Sequence, residues 1–287
     1  MFDSLFDYFL DALIDSAKLV PFLYVIYLLI ELLEHKAGSS FPRILGKSKQ
    51  VGPLAGGLVG VVPQCGLAAA SASLYSGKVI TLGTLIAVFL SASDEMLPIL
   101  ISSAYPIVSI LKILLVKVSI AVVSGYLVDL VFRKGTETDQ VAKDEAEKTF
   151  GEYEHRSNMF LCALRHTIEI FIFIFVFSLI INIIIGSVGE ENVSKVFNSI
   201  PVVGELVAAL VGLIPNCASS VIITQLYLDG IIKAGPMFAG LLVNAGVGTM
   251  VLVKTNRDSK NSLGVIGLLY GLGVIWGILI ELSGLVF

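Results

Sequence analysis

The sequence contains two copies of one apolar segment, each interrupted at its centre by a proline. Residues 51–75 read VGPLAGGLVGVVPQCGLAAASASLY, and residues 203–227 read VGELVAALVGLIPNCASSVIITQLY. At a constant offset of 152 the copies share VG, LVG, P, C and LY without a gap. The same offset aligns two pairs outside the segments, Gly83 with Gly235 and Asp129 with Glu281. The chain is therefore predicted to consist of two halves with a common fold.

The copies belong to a chain that is too apolar for a water-soluble protein. Of its 287 residues, 56% are hydrophobic and only 15% are charged, whereas soluble domains carry about a quarter charged residues. The net charge of −4 is small and no basic patch occurs, so a nucleic-acid partner is not expected. The three cysteines include no C-x-x-C pair, which excludes a disulfide scaffold and a redox pair. These properties predict an all-α protein that crosses a lipid bilayer several times.

Six further apolar stretches are long enough to cross about 30 Å of hydrocarbon. They cover residues 9–33, 79–101, 106–132, 159–185, 231–253 and 262–287. The proline-interrupted segments are predicted to form helical hairpins over 51–77 and 203–229. The predicted organisation is a first transmembrane repeat over 1–132, a charged cytoplasmic linker over 133–158, and a second transmembrane repeat over 159–287.

The distribution of lysine and arginine indicates whether the hairpins cross the membrane. Segments 34–50, 133–158 and 254–261 are rich in basic residues and belong in the cytoplasm, whereas 186–202 suits the outside. One hairpin and two spans separate the first two basic segments, so an even number of crossings requires the hairpin to return to its own side. Each repeat then has three spanning helices and one re-entrant hairpin, the two repeats have inverted topology, and both termini lie outside. Lys233 is the one cation that this arrangement places on the wrong side.

Small residues recur every fourth position along the first arm of each hairpin. The two sets are Gly52, Gly56 and Gly60 in the first copy, and Gly204, Ala208 and Gly212 in the second. Such a face is typical of a membrane helix whose backbone lies close to a neighbouring helix.

The residues that follow the hairpin prolines are candidates for a binding site. Pro63 and Pro215 leave backbone carbonyls without a donor, which a membrane tolerates only inside protein or beside a watery cavity. Hairpins that stop half-way from opposite faces would bring four side chains together near the midplane: Gln64, Cys65, Asn216 and Cys217. Each second arm begins at its cysteine, so the helix dipole favours a thiolate and a soft, electron-poor substrate. Cysteines in membrane helices also serve as apolar filler, but recurrence after proline and an amide favours a site.

An acidic pair inside the span 79–101 is the second candidate. Asp94 and Glu95 are costly at that depth, and the equivalent positions in the second half are a glycine and a valine. We therefore expect the pair to carry protons or to bind a cation, with an ion pair to Lys117 as the structural alternative. Asn244 is the nearest polar group of the second copy and a further candidate for substrate binding. Its context, VNAGVG, also favours a helix break.

Three strings resemble a family of bacterial and archaeal ten-helix heavy-metal exporters: GLVGVVPQCG, FLSASDEMLPILIS and GLIPNCASSVIITQLY. Members are also described as arsenic efflux proteins or manganese transporters, and the family is distantly related to organoarsenical permeases. Six spans and four hairpin arms would make ten helices. The resemblance implies export of a metal or metalloid ion across the cytoplasmic membrane of a prokaryote. Members often carry a histidine-rich central loop, whereas segment 133–158 contains only His155.

The two kinds of substrate require different ligands. An arsenite-type metalloid or a soft metal would bind Cys65 and Cys217, whereas manganese would prefer the oxygen ligands of Asp94, Glu95 and the amides. The paired cysteines favour the thiophilic substrate. We expect a secondary transporter that works by alternating access and couples to protons through Asp94 or Glu95.

Two other kinds of function are compatible with the sequence. One is a carrier for an organic or inorganic anion that binds at the half-helix ends. The other is a channel or an intramembrane enzyme, although no catalytic or nucleotide-binding motif occurs and an enzyme is not expected. No cofactor is expected, and association into homo-oligomers is left open.

Overall fold

Ten helices account for most of the residues that the computed structural model describes. These residues are 51–63, 65–92, 95–132, 202–215, 218–256 and 259–285, with isolated positions within 10–28 and 161–179. In the first half the helices are α1 (Gly52–Val59), α2 (Cys65–Ser76), α3 (Leu82–Ser91), α4 (Met96–Ser102) and α5 (Ile107–Val131). In the second half they are α6 (Val203–Gly212), α7 (Ala218–Leu228), α8 (Ala234–Val243), α9 (Gly248–Thr255) and α10 (Ser259–Ser283). The described residues contain no strand, as predicted for an all-α protein.

The helix boundaries agree with the repeat seen in the sequence. Helices α3 and α8 begin and end 152 residues apart, and so do the long helices α5 and α10. The starts of α4 and α9 have the same separation. Aligned residues therefore occupy aligned places in the helices of the two halves.

Four stretches of the described residues are long and apolar enough to cross a membrane. They are Leu82–Ser102, Ile107–Val131, Ala234–Thr255 and Lys260–Ser283. They coincide with four of the six predicted spans and support a polytopic membrane protein. The remaining two spans, 9–33 and 159–185, lie mostly outside the described residues, as does the linker 133–158.

Two of the four spans are divided at equivalent positions. The chain leaves the helical conformation after Ser91 and after Val243, and a helix resumes at Met96 and at Gly248. The second break agrees with the expectation from VNAGVG. The first divides a stretch that the sequence presented as continuous, because SASDE contains neither glycine nor proline. The divided spans are mostly buried, whereas α5 and α10 are mostly exposed.

The small-residue face of α1 packs against α3. A Cβ added at Gly56 would lie 2.9 Å from the Thr84 carbonyl oxygen, and one at Gly60 would lie 2.7 Å from that of Val88. In the second half, a Cβ at Gly212 would lie 2.2 Å from the carbonyl oxygen of Gly240 on α8. The close approach predicted for these arms is therefore made to the following span.

Helices α2 and α7 connect the two halves. Helix α2 packs against α9, and α7 packs against α4. Helices α3 and α8 also touch each other, with fully buried side chains such as Phe89 and Phe238 in the core. The core of the described residues is therefore built from the broken spans and from α2 and α7, which the two halves contribute reciprocally.

Candidate functional site

The start of α2 lies beside the break of the opposite half. Gly248, the first residue of α9, adjoins Ala68 in the first turn of α2, since an added Cβ would lie 2.8 Å from that of Ala68. The same Cβ would lie 3.0 Å from the ring of Phe89, near the end of α3. The start of α2, the start of α9 and the end of α3 therefore meet at one place.

The two prolines of the repeated segments lie between helices. Pro63 is in the link between α1 and α2, and Pro215 is in the link between α6 and α7. Cys65 is the first residue of α2. Its side chain lies outside the described part of the structure, as do the residues Gln64, Asp94, Asn216 and Cys217. Their convergence on one substrate stays a prediction.

Glu95 lies in the first break, at the residue that precedes α4. Its side chain is 8% exposed although it carries a carboxyl group. A carboxyl group buried at this depth is costly and is typical of a functional position in a membrane protein. The structure thus places one member of the acidic pair inside the protein, at an interrupted helix.

Asn244 shapes the second break. Its side-chain oxygen accepts a hydrogen bond from the backbone N–H of Gly246 at 3.1 Å, and Asn244 is 3% exposed. Gly246 itself has φ of 50°, in the left-handed region that favours glycine. Thr249 donates to the Gly246 carbonyl at 3.1 Å. Asn244 therefore has a structural role in the break, and its predicted contact with substrate is untested.

Lys117 joins the first break to the second half of the protein. It lies in the middle of α5, is fully buried, and its Nζ donates to the carbonyl oxygen of Ala92 at the end of α3. It also donates to the carbonyl oxygen of Leu241, in the last turn of α8, at 3.3 Å. Sequence reasoning considered Lys117 only as an ion-pair partner of Asp94 and Glu95. The signal for a wider role was a lysine at the centre of a long apolar span.

A carboxylate holds the start of each broken span. In the first half, Asp129 near the end of α5 accepts hydrogen bonds from the Gly83 N–H and the Thr81 hydroxyl, both at 2.7 Å. Such contacts satisfy donors at a helix start and favour negative charge there. The cap fixes the end of α5 against the beginning of α3.

The second half uses the aligned residues in the same way. Glu281 accepts a hydrogen bond from the Gly235 N–H at 3.3 Å and forms an ion pair with Lys233 at 3.0 Å. Lys233, the cation that the charge distribution left on the wrong side, therefore has a local partner. The buried Glu205 is nearby, since its Oε1 would lie 3.0 Å from a Cβ added at Gly235.

The described residues bring together no group of three or more histidine, cysteine, aspartate or glutamate side chains that could hold a metal ion. Of the four predicted metal ligands, only Glu95 has a side chain that the structure describes, because the side chains of Cys65, Cys217 and Asp94 are not described. The predicted ligand set is thus untested.

One comparison with known proteins finds a match. Residues 1–197 match the model of a family described as "Putative, 10TM heavy-metal exporter". The match covers the first half, the linker segment and the beginning of the second half. Neither a curated protein nor a solved structure matches the chain.

Proposed function

The chain belongs to this ten-helix family of heavy-metal exporters, and from that premise we propose that it is a secondary active transporter. In this proposal it exports a metal or metalloid ion across the cytoplasmic membrane by alternating access. The observation that carries the proposal is the pair of helix breaks at equivalent positions in two buried spans. Irregular backbone at membrane depth occurs where protein surrounds it or where it lines a cavity, and broken helices of this kind hold substrate sites in transporters.

The long helices support an inverted relation between the halves. One groove is lined by Leu115 and Ser119 from the first part of α5 and by Ser283 and Leu285 from the end of α10. When the first part of one helix lies alongside the last part of its neighbour, the two helices run in opposite directions. If each crosses the membrane once, the halves have opposite topology, as the basic segments of the sequence also indicate.

Reciprocal contacts agree with a two-fold relation. Because α2 packs on α9 while α7 packs on α4, each half contributes the same surface to the other. We propose that the hairpins are re-entrant and that their tips face each other across the substrate. Movement of one half would then carry a hairpin arm along the broken span of the other half, which opens the site to each side in turn.

The substrate proposed is a thiophilic ion of the arsenite type or a soft metal. Cys65 and Cys217 are the proposed ligands, because each follows a proline and an amide at the start of a second arm, and thiolates bind soft ions most strongly. The amides of Gln64 and Asn216 would lie beside them. Coupling to protons is assigned to Asp94 and Glu95.

Cysteine substitution in a host that lacks arsenite exporters tests this function. Cys65→Ser and Cys217→Ser should each remove most arsenite uptake by everted membrane vesicles and most arsenite resistance in the host. Cys162→Ser is the matched control, because Cys162 lacks the proline and amide context. Unchanged uptake in both hairpin variants would rule out a thiolate site.

A second candidate function is favoured by one specific contact. The first turns of α2 and α9 meet at Ala68 and Gly248, so the positive ends of two half-helices converge, and such ends bind anions. A carrier of a small anion would keep its transport in both cysteine variants and would be inhibited by competing anions. The same vesicles therefore distinguish the two functions.

A further inference from the structure

Two equivalent half-helices end at the same buried ammonium group. Ala92 directly follows the last residue of α3, and Leu241 lies in the last turn of α8, so neither carbonyl has its usual helical donor available. The Nζ of Lys117 donates to both of them. The carbonyl ends of helices carry partial negative charge, so these two ends together attract a cation.

Only one half supplies the ammonium. The position equivalent to Lys117 in the second half is Leu269, which is also fully buried. A lysine in the centre of a membrane helix is costly, and a general need for packing would be met by leucine, as it is at Leu269. The Ala92 and Leu241 carbonyls are thus two buried acceptors that a cation at this position satisfies.

In transporters with broken helices, unwound carbonyls and half-helix ends coordinate alkali ions. The carbonyls that contact Lys117 are half-helix ends of this kind. Two acidic residues lie close to one of them in the sequence, since Asp94 and Glu95 come two and three residues after Ala92. We propose that the ends of α3 and α8 form a cation site in which the ammonium group of Lys117 takes the place of a bound alkali ion. The site uses none of the cysteine and amide ligands proposed for the substrate and does not depend on which ion is exported.

The proposal predicts that removal of the side chain creates a vacant site for a small cation. Full-length Lys117→Ala would be purified in detergent and its melting temperature measured in sodium, potassium or choline chloride at equal ionic strength. In choline the variant should melt below the wild type. Sodium or potassium at roughly ten times its dissociation constant should raise the melting temperature by on the order of 4 °C.

Two controls identify the source of the effect. The wild type should show no such rise, because its own ammonium occupies the site. Leu269→Ala creates a cavity at the equivalent buried position without removing a charge, and it should not respond to the alkali ions either. A melting temperature of Lys117→Ala that is the same in all three salts would overturn the proposal.

If Lys117→Ala yields no folded protein in choline, extraction is repeated in sodium and potassium chloride, and Lys117→Ser is tested in parallel. Folded protein that is recovered only with a small alkali ion supports the proposal. Failure of both variants in every salt contradicts it, because a filled site should restore the fold. The thermal measurement needs no transport, so its result is independent of whether the arsenite experiment succeeds.

Discussion

The indole Nε1–H of Trp276 donates a hydrogen bond of 2.8 Å to the hydroxyl of Ser124. These two residues are 152 positions apart, so each occupies the place of the other in the repeat. Contact between two equivalent residues is expected only beside an axis that relates the halves. Trp276 and Ser124 therefore join the long helices α5 and α10, as the proposed two-fold relation of the halves would require.

Loss of this hydrogen bond is expected to weaken the contact between the halves. Trp276→Phe removes the donor and leaves the fully buried Ser124 hydroxyl without it, which should cost about 1 to 3 kcal/mol. Addition of Ser124→Ala in the same protein should recover part of that loss, since no polar group is then left unpaired. Melting temperatures of both single variants and the double variant measure the coupling. Strictly additive losses would show that the hydrogen bond contributes nothing.

The cap formed by Asp129 is expected to stabilise the protein more than the ion pair between Lys233 and Glu281 does. Asp129→Ala removes the acceptor of two hydrogen bonds of 2.7 Å and should lower stability by about 1 to 2 kcal/mol. Lys233→Ala removes an ion pair whose lysine is 60% exposed, so its loss should be below about 0.5 kcal/mol. Thermal unfolding in detergent compares them. An equal or greater loss for Lys233→Ala would contradict this order.

The repeat made the helix boundaries of both halves predictable, because a common offset transfers each boundary from one half to the other. The break at 244–247 was predictable from its glycines, of which Gly246 adopts the left-handed conformation. The break at 92–95 was not, because SASDE has no residue that imposes one. There the Ala92 carbonyl accepts a hydrogen bond from Lys117, a residue 25 positions away that the local sequence does not indicate.

Helix partners could not be predicted either. Helices α5 and α10 are apolar around most of their circumference, so hydrophobic periodicity shows no face that points to a neighbour. The contacts of α2 with α9 and of α7 with α4 join residues from different halves. Periodicity within one helix contains no information about such pairing. The sequence therefore indicated which residues to suspect, while the role of Lys117 required the structure.

Close packing at the start of α9 predicts an effect on transport. Gly248→Ala would place a Cβ 2.8 Å from that of Ala68, and relief of the overlap should displace the first turn of α2 at a cost of about 1 to 3 kcal/mol. Because Cys65 begins that turn, arsenite uptake by vesicles should fall. Gly267→Ala is the matched control, since its Cβ would meet nothing within 4 Å. Normal uptake by Gly248→Ala would show that the contact between Gly248 and Ala68 does not affect the substrate site.

The acidic pair at the first break is expected to link transport to the proton gradient. Asp94→Asn and Glu95→Gln remove a charge with little change of shape, so substrate exchange across vesicles without a gradient should continue. Uptake driven by a pH gradient should be lost, because a neutral amide cannot carry a proton through the cycle. Glu205→Gln is the control, because Glu205 is also buried but lies in α6, beside Gly235 at the start of α8. Coupling would have to be assigned elsewhere if both break variants kept the uptake and pH profile of the wild type. If only Glu205→Gln lost the uptake driven by a pH gradient, proton coupling would instead be assigned to the region beside Glu281.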